Sequence, residues 1–215
     1  MKSRWIWCGA LLVLALGVAS AQESVKPKAQ PSASSKASAK PAAQPMDPKA
    51  MEEMMAKLAA PGPNHERLKK LAGDWNLTVK WTWDPSQPMQ TTNSTSTITT
   101  LMDGRYCQEQ SSGEMMGRPF QGMGLTGYDN VLKKYESVWI DNAGTGIMRS
   151  EGTADASGSV VNWTGEESDP MTGKLTKVRM VTRFLDDNHH VFEMYIKDPA
   201  GKEYKSMEIS YERKM

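Results

Sequence analysis

Residues 74–84 read Asp74-Trp75-Asn76-Leu77-Thr78-Val79-Lys80-Trp81-Thr82-Trp83-Asp84. Trp75, Leu77, Val79, Trp81 and Trp83 fall on every second position, with Asn76, Thr78, Lys80 and Thr82 between them. Successive side chains of a strand point to opposite faces, so this run predicts a half-buried β-strand with one aromatic face. Turn signals follow at Asp103-Gly104, Gly113 to Pro119, Asp129-Asn130, Asp141 to Gly144, Asp155 to Gly158, Asp169 to Gly173, Asp186 to Asn188 and Asp198 to Gly201. Spacings of about a dozen residues between such turns suit a sandwich or barrel. No helical pattern separates the strands, which argues against a parallel α/β sheet. Short turns pair neighbours antiparallel, and closing the sheet removes its edges. The expected fold is all-β: roughly ten strands in an antiparallel meander β-barrel, preceded by one or two short helices.

The 215 residues have one real core's worth of apolar side chains, 39%. Lys and Arg number 26 against 25 Asp and Glu, a balance that speaks against nucleic-acid binding. Two cysteines and three histidines leave no disulfide scaffold and no Cys-rich metal site.

Residues 1–21 read as a secretory signal peptide. Lys2 and Arg4 make the positive start, Trp5 to Val18 the apolar run, and Ala19-Ser20-Ala21 the small-x-small cleavage site. The expected localisation is periplasmic or secreted after cleavage near Ala21. Loss of Lys2 and Arg4 would take the 26 basic side chains to 24, against 25 acidic. Loss of Cys8 leaves Cys107, read as a small core residue on a strand. Residues 22–46, rich in Lys, Ala, Ser and Pro, are expected to be a disordered linker, since they have too little apolar area to offset ordering entropy. Residues 47–61 are expected to form a short amphipathic helix. Asp47 would be its N-cap and Pro48 its first residue, with Met51, Met54, Met55 and Leu58 on the face that packs on the domain. Asn64 is expected to cap a second helix over 65–71. The barrel domain is expected over 62–215.

Several residues carry a family resemblance: Pro61-Gly62-Pro63-Asn64-His65, then Leu68 to Trp75, Gly104-Arg105-Tyr106, Gly117 to Gly122 with Gly127-Tyr128-Asp129, Trp139-Ile140-Asp141, and Met207 to Arg213. Together they resemble the bacterial domain-of-unknown-function 1579 family, grouped with the calycins. The resemblance implies a lipocalin-like barrel, closed at the end that holds Gly73-x-Trp75. It implies that the first and last strands pair, with Arg213 laid over the Trp75 indole, so Gly73, Trp75 and Arg213 are assigned to barrel closure. It implies no activity. Nitrobindins, ten-stranded relatives in the broader group, bind haem through a histidine. No residue here matches that ligand, so no cofactor is assigned and haem stays open.

The candidate chemistry is sparse. His189 and His190 are adjacent and would face opposite sides of a strand; both are read as surface turn residues. His65 is read as structural. No HxxH, HExxH or CxxC spacing occurs, so no metal site is assigned. No Gly-x-Ser-x-Gly elbow occurs, and Gly122-x-Gly124-x-x-Gly127 lies between strands rather than opening a helix. No catalytic residue is assigned. Arg105, Glu109, Arg149, Glu151, Glu166, Arg179 and Arg183 lie in strand patterns, and any that turn inward need a partner or a polar ligand. The ligand-binding candidates are Leu77, Val79, Trp81, Trp83, Tyr106, Trp139 and Arg149. An inward arginine beside Trp139 and Tyr106 would favour an anionic ligand.

Three functions fit. The first is an exported envelope barrel binding a small hydrophobic or amphipathic molecule at the mouth opposite Trp75. The second is a barrel enzyme, an isomerase or hydrolase. The third is a structural or interaction module with a filled barrel. Neither a nucleic-acid partner nor a transmembrane helix in the mature chain is expected, and the residues do not indicate an oligomeric state.

Overall fold

The computed structural model describes residues 47–169 and 172–215. The expected signal peptide and linker lie outside these residues. Two helices, α1 (Pro48–Ala59) and α2 (Pro63–Lys70), precede ten strands. These are β1 (Gly73–Trp81), β2 (Gln90–Leu101), β3 (Tyr106–Met115), β4 (Arg118–Asp129), β5 (Lys134–Asp141), β6 (Met148–Ala154), β7 (Val160–Asp169), β8 (Lys174–Phe184), β9 (His189–Lys197) and β10 (Glu203–Arg213). Each strand pairs antiparallel with the next, and β1 pairs with β10 to close the barrel. The turns fall at the expected places, with one adjustment. Gly113 and Pro119 belong to the strands, and the β3–β4 hairpin turns on Met116 and Gly117 alone, at φ 54° and 75°. Two central residues at positive φ match the twist that a two-residue hairpin demands.

Asp47 caps α1 by accepting from the Ala50 N–H, and Pro48 opens the helix, as the sequence indicates. Its apolar stripe behaves otherwise. Met51, Met54 and Met55 are exposed and α1 buries no residue. The helix is tied to the barrel through its end, where the Asn130 amide donates to the Leu58 and Ala60 carbonyls. Nor does Asn64 cap α2. Pro63 is the first helical residue and Gly62 the cap, and His65 Nδ1 accepts from the Gly62 N–H at 2.9 Å. A histidine thus fills the place that Glu or Gln takes in a capping box. Asn64 instead accepts from the Tyr135 hydroxyl, which also receives a bond from Arg67. His65 is buried, edge-on to Tyr128.

The core fills the end of the barrel under α2. Leu68, Trp75, Leu77, Ile98, Cys107, Tyr135, Val161 and Tyr211 pack together there. Trp75, 1% exposed, stands opposite Arg213 in the register and donates its indole N–H to the Leu71 carbonyl. The Arg213 guanidinium lies 4.2 Å from the Trp75 ring centroid. It also donates to the Ala72, Lys70 and Asp187 carbonyls, tying α2 and the β8–β9 turn to the closing strand. Gly73 makes this geometry fit: its φ is +137°, and a Cβ there would come within 2.5 Å of the guanidinium. Gly73, Trp75 and Arg213 therefore meet where β1 and β10 pair. His190 corrects the surface reading. It is buried between strands, edge-on to Trp75 at 4.6 Å and stacked on Tyr211 at 4.1 Å, while His189 stays outside against Asp186.

Candidate functional site

Alternation fixes which side chains enter the lumen. On β1 these are Trp75, Leu77, Val79 and Trp81, as the sequence indicates. Trp83 is not among them: the strand ends at Trp81, and Trp83 is 67% exposed. Thr82 Oγ1 donates to the Asp84 carbonyl and accepts the Asp84 N–H, which curls the chain away before the alternation can continue. Tyr106 is also outside. Cys107 takes the inward position on β3, and the Tyr106 ring packs over Gly127 on the outer wall. Arg149 points outward as well. On β6 the inward set is Met148, Ser150, Gly152 and Ala154, so Arg149 and Glu151 face solvent. Of the seven polar strand candidates, Glu109 alone enters the lumen. Arg105 bonds the Met102 carbonyl at a turn, Arg179 pairs with Glu203, Arg183 with Glu193 and Glu151 with Lys134.

Glu109 is the polar centre of the lumen. Its Oε1 accepts from Ser96 at 2.8 Å, from Ser111 at 3.1 Å and from the Tyr211 hydroxyl at 3.1 Å. All three donors reach one oxygen. No buried polar side-chain atom among the described residues lacks a partner, so Oε2, which takes none of these bonds, keeps access to the lumen. Burial pushes the Glu109 carboxyl above its ordinary range, and the three hydroxyl bonds pull the other way. The group therefore lies deep among protein atoms and yet retains accessible surface. That combination describes a deep carboxyl with one oxygen still accessible.

The wall beside Glu109 is made by β4 and β5. Gly124 stands opposite Glu109 in the register. The Trp139 indole lies over Gly122 and Gly124, where a Cβ at Gly122 would overlap it. Its Nε1 donates to Asp141 at 2.9 Å. Toward the rim, Glu167 is held above the usual carboxyl range by burial and then by the nearby Asp169 and Asp141. Opposite, the interior packs as a second, smaller core: Val178, Met180 and Met194 are buried, with the half-buried Met148, Ile196 and Met207 against them. Trp81 is buried at the mouth.

Two other concavities lie elsewhere. An open trough of about 840 Å³ runs along the outer wall, past Leu125, Val138, Arg149, Leu175, Arg179 and Tyr195. It is broad and one whole side is solvent, whereas small-molecule sites enclose most of the ligand surface. A crevice of about 230 Å³ lies at the closed end, between Arg67, Trp75, Ser157, Phe184 and His190.

The histidines do not suit a haem held through imidazole in the lumen. His65 caps α2, His190 packs among rings at the closed end, away from the upper lumen, and His189 lies outside. Among the described residues no group of three or more His, Cys, Asp and Glu is placed to hold a metal ion. Cys107 is buried beside Glu109, and burial, then the Glu109 charge, pushes its thiol up to about 12, which disfavours the thiolate. No helix of the described residues is long and apolar enough to cross a membrane.

The barrel is similar to solved structures at low sequence identity. Rv2717c from M. tuberculosis matches with a TM-score of 0.52 and 14% identity, over 73% of this chain and 100% of that one. The S-type phycobiliprotein lyase CPES from Guillardia theta matches with a TM-score of 0.50 and 10% identity, over 71% of this chain and 93% of that one. At such identities the likeness is one of fold. No curated protein matches the chain. The model of the DUF1579 family of proteins of unknown function matches residues 60–213, all of the barrel and the helix before it, and the chain belongs to that family.

Proposed function

We propose that the protein is exported to the bacterial envelope and binds a small hydrophobic or amphipathic molecule in the upper lumen of the barrel. The observation that supports binding is Glu109: a deep carboxyl with one oxygen tied to three hydroxyls and the other open to the lumen. A barrel filled by its own side chains would leave such an oxygen sealed or bonded. Val79, Trp81 and Trp139 would supply the apolar walls, and Glu109 the polar contact. The N-terminal charge, apolar run and cleavage site support export.

An apolar fluorescent probe tests the site. Probe binding that weakens in both Trp81→Ala and Trp139→Ala, and not in the outward Arg149→Gln, supports the lumen. Equal binding by all three variants refutes it. N-terminal sequencing of protein from the periplasmic fraction or medium tests export; a start at Gln22 is expected, and an intact Met1 in a cytoplasmic fraction refutes it.

A further inference from the structure

We infer that the molecule held in the lumen is an organic cation: an ammonium head at Glu109 with an apolar body along Trp139, Val79 and the methionine wall. The inference rests on the lumen-binding reading and adds the sign of the ligand's charge. Among the described residues, the charged side chains on the inward parity below the rim are acids: Glu109, Asp141 and Glu167. The arginines that an anionic ligand would need are elsewhere. Arg149 faces solvent, Arg179 and Arg183 are paired with glutamates on the outer wall, and Arg213 is committed to Trp75 and three carbonyls at the closed end. At the rim itself Arg118 and Lys174 share the inward parity and are exposed, Lys174 opposite Asp169, so the edge carries both signs.

The acids alone would not make a site. Glu109 Oε2 is the independent observation, because a deep carboxylate oxygen without a donor is stabilised by whatever donor enters. The hydroxyls of Ser96, Ser111 and Tyr211 orient the carboxylate and leave Oε2 to the lumen. The Trp139 indole beside it, laid over Gly122 and Gly124, presents an aromatic surface, and an ammonium is drawn to such faces. Below the rim, Glu167 and Asp141 add negative potential to the lumen above Glu109.

Three ten-carbon probes of matched tail test this: decylamine, decan-1-ol and decanoate, each below its micelle concentration, titrated at pH 7 against tryptophan fluorescence. An alkylamine is fully protonated there. Decylamine should bind about tenfold tighter than decanol, and decanoate weakest, since the charge-assisted bond is added only for the amine. Glu109→Gln keeps an acceptor for the three hydroxyls, so it should still bind decanol while decylamine falls to the decanol level. Glu167→Gln, nearer the rim, should narrow the preference by a smaller factor and serves if Glu109→Gln fails to fold. Decylamine no tighter than decanol, or decanoate tightest, overturns the inference and leaves the lumen reading standing. Failure of all three to bind overturns the lumen reading itself.

Discussion

The closed end and the upper lumen are built from the same ten strands, yet their polar atoms are treated in opposite ways. Below, the polar groups that close the barrel have protein partners. The Trp75 indole N–H meets a carbonyl, Arg213 meets three, and Tyr135 lies between Asn64 and Arg67. Above, Glu109 uses one oxygen of two, and Glu167 and Asp141 face each other as like charges. A barrel gains stability from the first arrangement and capacity for a guest from the second. Substitutions should therefore separate the halves.

The largest effect belongs to Trp75→Ala. Removing a fully buried indole that also anchors Arg213 should cost about 3–5 kcal/mol in urea denaturation. Trp139→Ala, on a half-buried ring in the upper lumen, should cost about 1 kcal/mol and act on ligand binding instead. Equal losses in the two variants would break the comparison, because the upper lumen would then be core.

Acid should open the closed end next. Burial, then the nearby Arg213, lowers the His190 pKa to about 3. The unfolded chain takes up that proton near pH 6.5 and the folded chain does not. The stability from this neutral ring is thus fully present above pH 6.5 and is lost as pH falls toward 3, by about 1.4 kcal/mol per pH unit. His190→Phe keeps contact with Trp75, Phe184 and Tyr211 and removes the titration, so its stability should fall less between pH 6.5 and 4. A parallel decline in variant and wild type would place the acid sensitivity elsewhere.

Arg213→Lys should follow at about 1–2 kcal/mol. The charge remains, but one ammonium cannot stack on the indole and bridge the Lys70, Ala72 and Asp187 carbonyls together. A loss below about 0.5 kcal/mol would mean that neither the planar stacking nor the three carbonyl ties contribute much here.

These halves were not equally legible in the sequence. The closed end announces itself in the strict alternation of 74–84 and in the basic residue that ends the last strand. The upper lumen does not, because its strands carry polar residues on both faces. On β6, Met-Arg-Ser-Glu-Gly-Thr-Ala gives no apolar parity, and the longest side chains took the outward positions. Trp83 misled through a perfect period that a Thr82–Asp84 turn interrupts. Glu109 was within reach: reading Cys107 as a core residue already puts 109 and 111 on the inner face of the same strand. The carboxyl hid among Gln108, Gln110 and Ser111, where nothing marks one polar residue from another.

The smallest stability effect, and the most informative about the upper lumen, is that of Glu109→Gln. The folded pKa of Glu109 is raised, chiefly by burial, above that of the unfolded chain. For an acid this means that the folded state holds the proton more tightly. The associated stability is fully present below about pH 4.5 and is lost as pH rises through the folded value. Glutamine keeps the acceptor for Ser96, Ser111 and Tyr211 and never ionises. The variant should match wild type near pH 4 and be the more stable of the two at pH 7. Urea midpoints at the two pH values check this. A variant less stable than wild type at pH 7 would show that the three hydroxyls already stabilise the ionised carboxylate more than burial opposes it, and Oε2 would then have little call on a guest.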